Sequence, residues 1–210
     1  MESICRNARA CCALLLLCIP ASLSATTILG MDIDEVATGA ELVFEGQVLE
    51  HSVQENAAGM TVTYVTFRVS DVLKGDYPDT LLELKFTGGV LGGQVMEVSG
   101  LRIPKLDEQG IYFVESTSRD LINPLLGWSQ GHFLIIDDED ERRMSTINLE
   151  PVTDVQSYEQ VPSSLRRPRS YVDGDSSPAN GIITDAGPFQ FDQALTVDEF
   201  KSRIREMIEP

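Results

Sequence analysis

The chain has 210 residues, with 16 Lys and Arg against 33 Asp and Glu, a net charge of −17 at pH 7. A field of that sign repels nucleic acid and anionic membrane surfaces, so neither is expected as a partner. It suits a soluble protein or one that meets a basic partner.

The opening residues, MESICRNARACCALLLLCIPASLSA, place Arg6 and Arg9 ahead of a short apolar run over residues 10–19, followed by Pro20 and small residues. This charged, apolar, small-residue order is that of a secretory signal peptide over residues 1–25, with cleavage expected between Ser22 and Thr27. The run is shorter than the roughly 20 residues a bilayer span needs, so no stable membrane anchor is expected after cleavage. The protein is therefore expected to be exported, to the periplasm or the extracellular space. Cys5, Cys11, Cys12 and Cys18, all four cysteines, lie inside this leader. The exported chain then has no disulfide, thiolate metal site or cysteine nucleophile. Losing Glu2, Arg6 and Arg9 leaves 14 basic against 32 acidic residues, a net of −18.

Residues 32–149 read as one β domain. MDIDEVATGA allows one short helical turn. ELVFEGQVLEHSV puts Leu42, Phe44, Gly46 and Val48 on one face and Glu45 and Gln47 on the other. ENAAG is a hairpin turn. MTVTYVTFRVSDVL then changes phase, with Val62 and Tyr64 on one parity and Val65, Phe67 and Val69 on the other. Such a switch marks a β-bulge, a device that curls a sheet into a barrel. KGDYPD is a turn, and LLELKF restores alternation through Leu82, Leu84 and Phe86. Shorter strands are expected at QVMEV, IYFVE, HFLIID and RMSTINL. Many strands without intervening helices predict a mainly β fold, a small antiparallel OB-like β-barrel.

Residues 150–194 are rich in Pro, Ser, Asp and Gly and predict an extended or disordered acidic arm. Residues 195–209 predict an amphipathic helix. Thr196 and Glu199 form a capping box, and Val197, Phe200, Ile204 and Met207 form one stripe. The helix is expected to dock on the barrel.

GWSQG, residues 127–131, has the outline of a serine nucleophile elbow centred on Ser129. An elbow needs a strand before the serine and a helix after it. Here a strand, HFLII, follows, so GWSQG reads as a turn and no catalytic residue is assigned. Trp128, Gln130 and His132 remain candidates for contacting a ligand. GGVLGG lies between two strands rather than ahead of a helix, which disfavours a phosphate loop. Its glycines, Gly88, Gly89, Gly92 and Gly93, still permit close approach of a partner backbone. With two histidines and no cysteine in the exported chain, no metal site or cofactor is assigned. The acidic turn over residues 137–141 offers at most weak, nonspecific calcium binding.

AELVFEGQVLE, TYVTFRVSDVLKG, the GGVLGG glycines, GLRIPKLDEQGIYFVES and GWSQGHF together resemble uncharacterised exported bacterial proteins, over roughly residues 38–136. The same stretch distantly resembles the netrin-like module, the OB-type barrel of the tissue inhibitors of metalloproteinases. That resemblance implies a noncatalytic binding protein that interacts with or modulates a secreted protease. Netrin-like inhibitors use a disulfide-bonded N-terminal cysteine on the target's zinc, and this chain has no cysteine for that role. The alternatives are an exported hydrolase centred on Ser129 and a structural or secretion-accessory protein of the cell envelope.

Overall fold

A computed structural model describes residues 27–138, 141–158, 170–174, 176–184 and 191–209. The leader expected over residues 1–25 lies outside the described residues, as do Glu139 and Asp140 of the acidic turn. Among the described residues no helix is long and apolar enough to cross a membrane.

The fold is mainly β. Six strands form one antiparallel sheet: β2 (Leu42–Glu55), β3 (Thr61–Lys74), β4 (Leu81–Thr87), β7 (Gln109–Val114), β8 (His132–Asp138) and β9 (Glu141–Thr146), in the order β4-β3-β2-β7-β8-β9. A small hairpin, β5 (Gly89–Leu91) and β6 (Gln94–Met96), projects after β4. The expected barrel is not closed, because β4 and β9 are not paired with each other. Each edge is occupied instead by other chain. On β9, the Met144 amide donates to the Leu195 carbonyl; on β4, the Thr87 amide donates to the carbonyl of Ile122.

The long hairpin carries irregularities, but not at the phase change where one bulge was expected. Register between β2 and β3 steps at Val43/Phe44, Glu45/Gly46 and Val48/Glu50. From Val62 to Arg68, β3 keeps continuous register with β4. The phase change read near Val62 therefore marks a strand with apolar residues on both faces, since Val62 and Val65 are both fully buried.

Both faces of the sheet are covered, giving two cores. One face carries Val43, Ile111, Phe113, Phe133, Ile135 and Met144 under two helices, α1 (Ile33–Gly39) and α2 (Val197–Ile208). α1 exceeds the single turn expected, because Asp32 and Glu35 form a capping box and the Lys74 ammonium reaches the Ala37 and Thr38 carbonyls at its far end. A cation there complements the helix dipole. α2 has the expected Thr196–Glu199 box and is docked on the sheet: Val197, Phe200 and Ile204 are buried, with Met207 packed beside them. Burying three such side chains contributes on the order of 1.5–3 kcal/mol each.

Residues 150–194, expected as an extended or disordered arm, carry short strands in their described parts. β10 (Val152–Val155) pairs with β12 (Ile182–Thr184), and β11 (Tyr171–Asp173) pairs with β1 (Thr27–Leu29). Val152, Val155, Ala179 and Ile182 enter the helix-side core. These apolar residues are too isolated among polar neighbours to give a periodic signal.

The second core is aromatic. Phe44 on β2 stacks on Tyr112 of β7 at 5.3 Å, and Phe67 of β3 meets Tyr112 edge-on at 4.8 Å. β3 and β7 flank β2, and neighbouring strands lie about 4.8 Å apart, so these rings must lean across the strand between them. Gly46 and Gly110, directly paired, make the room. A Cβ on Gly46 would sit 2.8 Å from both the Phe44 ring and the Arg68 carbonyl oxygen. One on Gly110 would overlap the Phe133 carbonyl and lie 3.0 Å from Cζ of Tyr112. Gly110→Ala is expected to cost about 1–3 kcal/mol of unfolding free energy through overpacking. Chemical denaturation reads this, and an unchanged midpoint would contradict the packing described.

Glu45 lies on the face opposite Phe44, as the alternation predicts, and that face is covered. It is buried beneath α2, where its carboxylate pairs with the ammonium of Lys201 and the guanidinium of Arg142. Lys201 also reaches Asp71 at 3.0 Å, and Arg205 reaches the same Asp71 oxygen at 2.9 Å. Burial pushes the Glu45 carboxyl up, but hydrogen bonds and charge from Lys201 and Arg142 outweigh it and leave it below the usual range. Asp71 is held down in the same way, after burial, by Lys201 and Arg205. Burial lowers the Lys201 ammonium, and Glu45 and Asp71 more than restore it, leaving it raised. Depressed carboxyls contribute stability above their unfolded pKa and lose it as pH falls through the folded one. A raised lysine contributes below its unfolded pKa and loses it as pH rises through the folded one. The network is then at full strength between about pH 5 and 10. Lys201→Met should flatten the acid limb of the stability–pH curve below about pH 5, because Glu45 and Asp71 lose their main partner. Identical acid limbs in thermal melts of the two proteins would exclude this role.

Candidate functional site

The β5–β6 hairpin stands over the end of the aromatic core because of the two glycines that precede and open it. Gly88 and Gly89 have φ of 110° and 135°, a region that side chains disfavour. The Gly88 amide donates to the Thr61 carbonyl, and its own carbonyl accepts from the Thr63 hydroxyl at 2.7 Å. Between the hairpin and residues 97–103 lies an open cleft of about 650 Å³. Gly88, Gly89, Met96, Leu101, Arg102 and Ile103 are among its lining residues. That volume is ordinary for a ligand pocket. Gly92 and Gly93 form the hairpin tip, with open space around them and outside the cleft lining.

Arg102 connects the cleft to a buried charge cluster. Its Nη2 donates to Glu108 Oε2 at 2.5 Å, and the other carboxylate oxygen of Glu108 lies 2.7 Å from Nε2 of His132. The Tyr112 hydroxyl donates to that same oxygen at 3.4 Å. Burial pushes the His132 imidazole down, more strongly than Glu108 raises it, so it is neutral at pH 7. Burial pushes the Glu108 carboxyl up, but the His132 hydrogen bond and the charge of Arg102 hold it below the usual range. Burial, then the Glu108 charge, drives the Tyr112 phenol well above its usual value. The cluster is thus an ionised Glu108, a cationic Arg102, a neutral His132 and a neutral Tyr112. Two bare acceptors at 2.7 Å would repel, so His132 carries its proton on Nε2 and donates it to Glu108. Nε2 then cannot accept from Arg102 Nη1, which lies 3.5 Å away.

The other sequence candidates sit elsewhere. Residues Trp128–Gly131 form a short 3₁₀ turn that leads directly into β8. Gln130 is fully buried; its Oε1 accepts from the Met31 amide at 2.6 Å and its amide donates to the carbonyls of Leu29 and Gly127. It ties the N-terminal strand segment to the turn. Trp128 packs against Gly174, where a Cβ would come within 2.9 Å of the indole. The Ser129 hydroxyl is buried and donates to the Ser177 carbonyl at 2.8 Å. The other histidine, His51, is exposed on β2. Among the described residues no group of acidic or histidine side chains is arranged to hold a metal. The structure therefore gathers Gly88 and Gly89 at the cleft, with His132 behind its Arg102 wall, and leaves Trp128, Gln130, Gly92 and Gly93 apart. Arg102, Glu108 and Tyr112 went unrecognised in the sequence. Their only signal was two opposite charges close together in GLRIPKLDEQG.

Comparison with protein-family models, curated proteins and solved structures finds no match.

Glu108→Gln removes the negative charge between Arg102 and His132. Stripping one partner from a buried ion pair costs about 3 kcal/mol. His132 also loses the carboxylate that raises it, so its imidazole should titrate at still lower pH. Its NMR titration in the variant decides the matter, and a His132 that titrates higher than in the parent would refute the assignment. Depressed groups of both kinds contribute stability above their unfolded pKa and lose it as pH falls. This cluster therefore adds to acid sensitivity below about pH 6.

Proposed function

We propose that the chain is an exported, noncatalytic binding protein that recognises another protein through the cleft and the β5–β6 hairpin. The observation that carries this reading is the exposed apolar face that the hairpin contributes to the cleft. Val90 and Val95 are directly cross-paired, 59% and 63% exposed, and line the preformed cleft. An exposed apolar pair lining a concavity is the form of a contact site. A secreted protease is the partner class that the netrin-like resemblance implies, and export is what the N-terminal pattern implies.

The sheet itself is read as OB-like. An OB fold is a five-stranded, partly open barrel. Support comes from the register steps in β2 and β3 and from rings of β3 and β7 touching across β2. Both features belong to a strongly curled sheet.

Affinity capture from the native exported fraction tests the function. The wild-type chain should retain a specific protein, and the Val90→Ser/Val95→Ser double variant should lose it without a lower melting temperature. Equal capture by both proteins would place recognition elsewhere.

A further inference from the structure

The geometry points to the cleft as a site for an apolar ligand that ends in a carboxylate, with Arg102 as its anchor. This rests on the reading of the cleft as the recognition surface, and it names the chemistry recognised there. Three observations combine. Arg102 lines the cleft wall and is the cation of the buried cluster, with 20% of its side chain exposed. Only Nη2 is held by Glu108, while the neighbour of Nη1, His132 Nε2, has its proton committed to Glu108. The guanidinium is thus fixed in place on one side and keeps N–H donors for an incoming acceptor.

The surroundings select the rest of the ligand. Met96, Leu101 and Ile103 supply apolar wall, and Val90 and Val95 add exposed apolar surface from the hairpin. Glu97 also lines the cleft, but it is exposed, so solvent screens its charge. In a strongly acidic chain a fixed guanidinium beside apolar wall is an unusual local environment, suited to one carboxylate rather than to a polyanion. A guanidinium presents parallel donors matched to a carboxylate, which a lysine ammonium cannot reproduce. A peptide's C-terminal residue and a free branched-chain acid share this chemistry.

The test uses the full exported chain and three probes: the acetylated peptide Ac-Ala-Ala-Val-Leu with a free carboxylate, its C-terminal amide, and 4-methylpentanoate. Calorimetry should show the free-carboxylate peptide binding at least about tenfold tighter than the amide, the scale of one charge-assisted hydrogen bond. Arg102→Lys should remove that difference, with its fold checked by circular dichroism; if it does not fold, the peptide–amide comparison in the wild type decides alone. If 4-methylpentanoate binds as tightly as the peptide, the carboxylate site stands and its source is a small acid. If it binds more weakly, the source is a chain terminus. Equal binding of peptide and amide overturns the carboxylate anchor but leaves the cleft as a protein-contact surface. No binding of any probe also overturns it; capture lost in the Val90→Ser/Val95→Ser variant would show that the broader reading survives. No binding together with equal capture by both proteins ends both.

Discussion

The cross-strand glycine pair Gly46 and Gly110 is the constraint on which the aromatic side of the sheet depends. With no side chain at either position, Phe44 and Tyr112 lie stacked over the backbone and Phe67 closes on them from β3. Tyr112 is thereby placed with its hydroxyl toward Glu108 and its ring 5.0 Å from that of His132. Glu108 in turn fixes Arg102, the residue that reaches the cleft. The path from two missing side chains to a positioned guanidinium is continuous, and each link is packing or a hydrogen bond.

The opposite face solves a different problem by a related device. Both faces bury a carboxylate that is met by cations, Glu45 under α2 by Lys201 and Arg142 and Glu108 beside the aromatic core by Arg102. A buried carboxylate without a partner costs several kcal/mol, so wrong placement of the partner segment is penalised. For α2 the apolar stripe supplies affinity and Lys201 fixes where along the sheet the helix sits. The sheet edges follow the same logic. Leu195 and Ile122 occupy backbone positions on β9 and β4 that would otherwise invite edge-to-edge association.

Much of this was legible in the residues. Alternation located β2 and β4, turn chemistry located the hairpin between β2 and β3, and the Thr196–Glu199 box with its stripe located α2 and its docked face. What escaped did so for physical reasons. Parity set Glu45 opposite Phe44 but does not encode what covers that face, because its partner Lys201 comes from the far end of the chain. The strands of residues 150–194 hold too few apolar residues to show a period, because each relies on a core built by other elements. Barrel closure depends on what covers the edges of a sheet, which strand patterning does not encode. The GWSQG pattern was correctly read as a turn into a strand, yet its strongest role, Gln130 tying two backbone segments together, is invisible without the fold. The cleft was half legible: Gly88 and Gly89 were singled out, whereas Arg102 became meaningful only beside Glu108 and His132.

Hydrogen exchange of the chain, measured alone and in complex with a protein recovered by affinity capture, tests the central claim most directly. Protection should concentrate on residues 87–103, the hairpin and the facing cleft wall, with α2 and the 3₁₀ turn around Ser129 unchanged. Protection confined to α2 or to the turn, with residues 87–103 exchanging as in the free chain, would contradict the assignment of the cleft as the recognition surface.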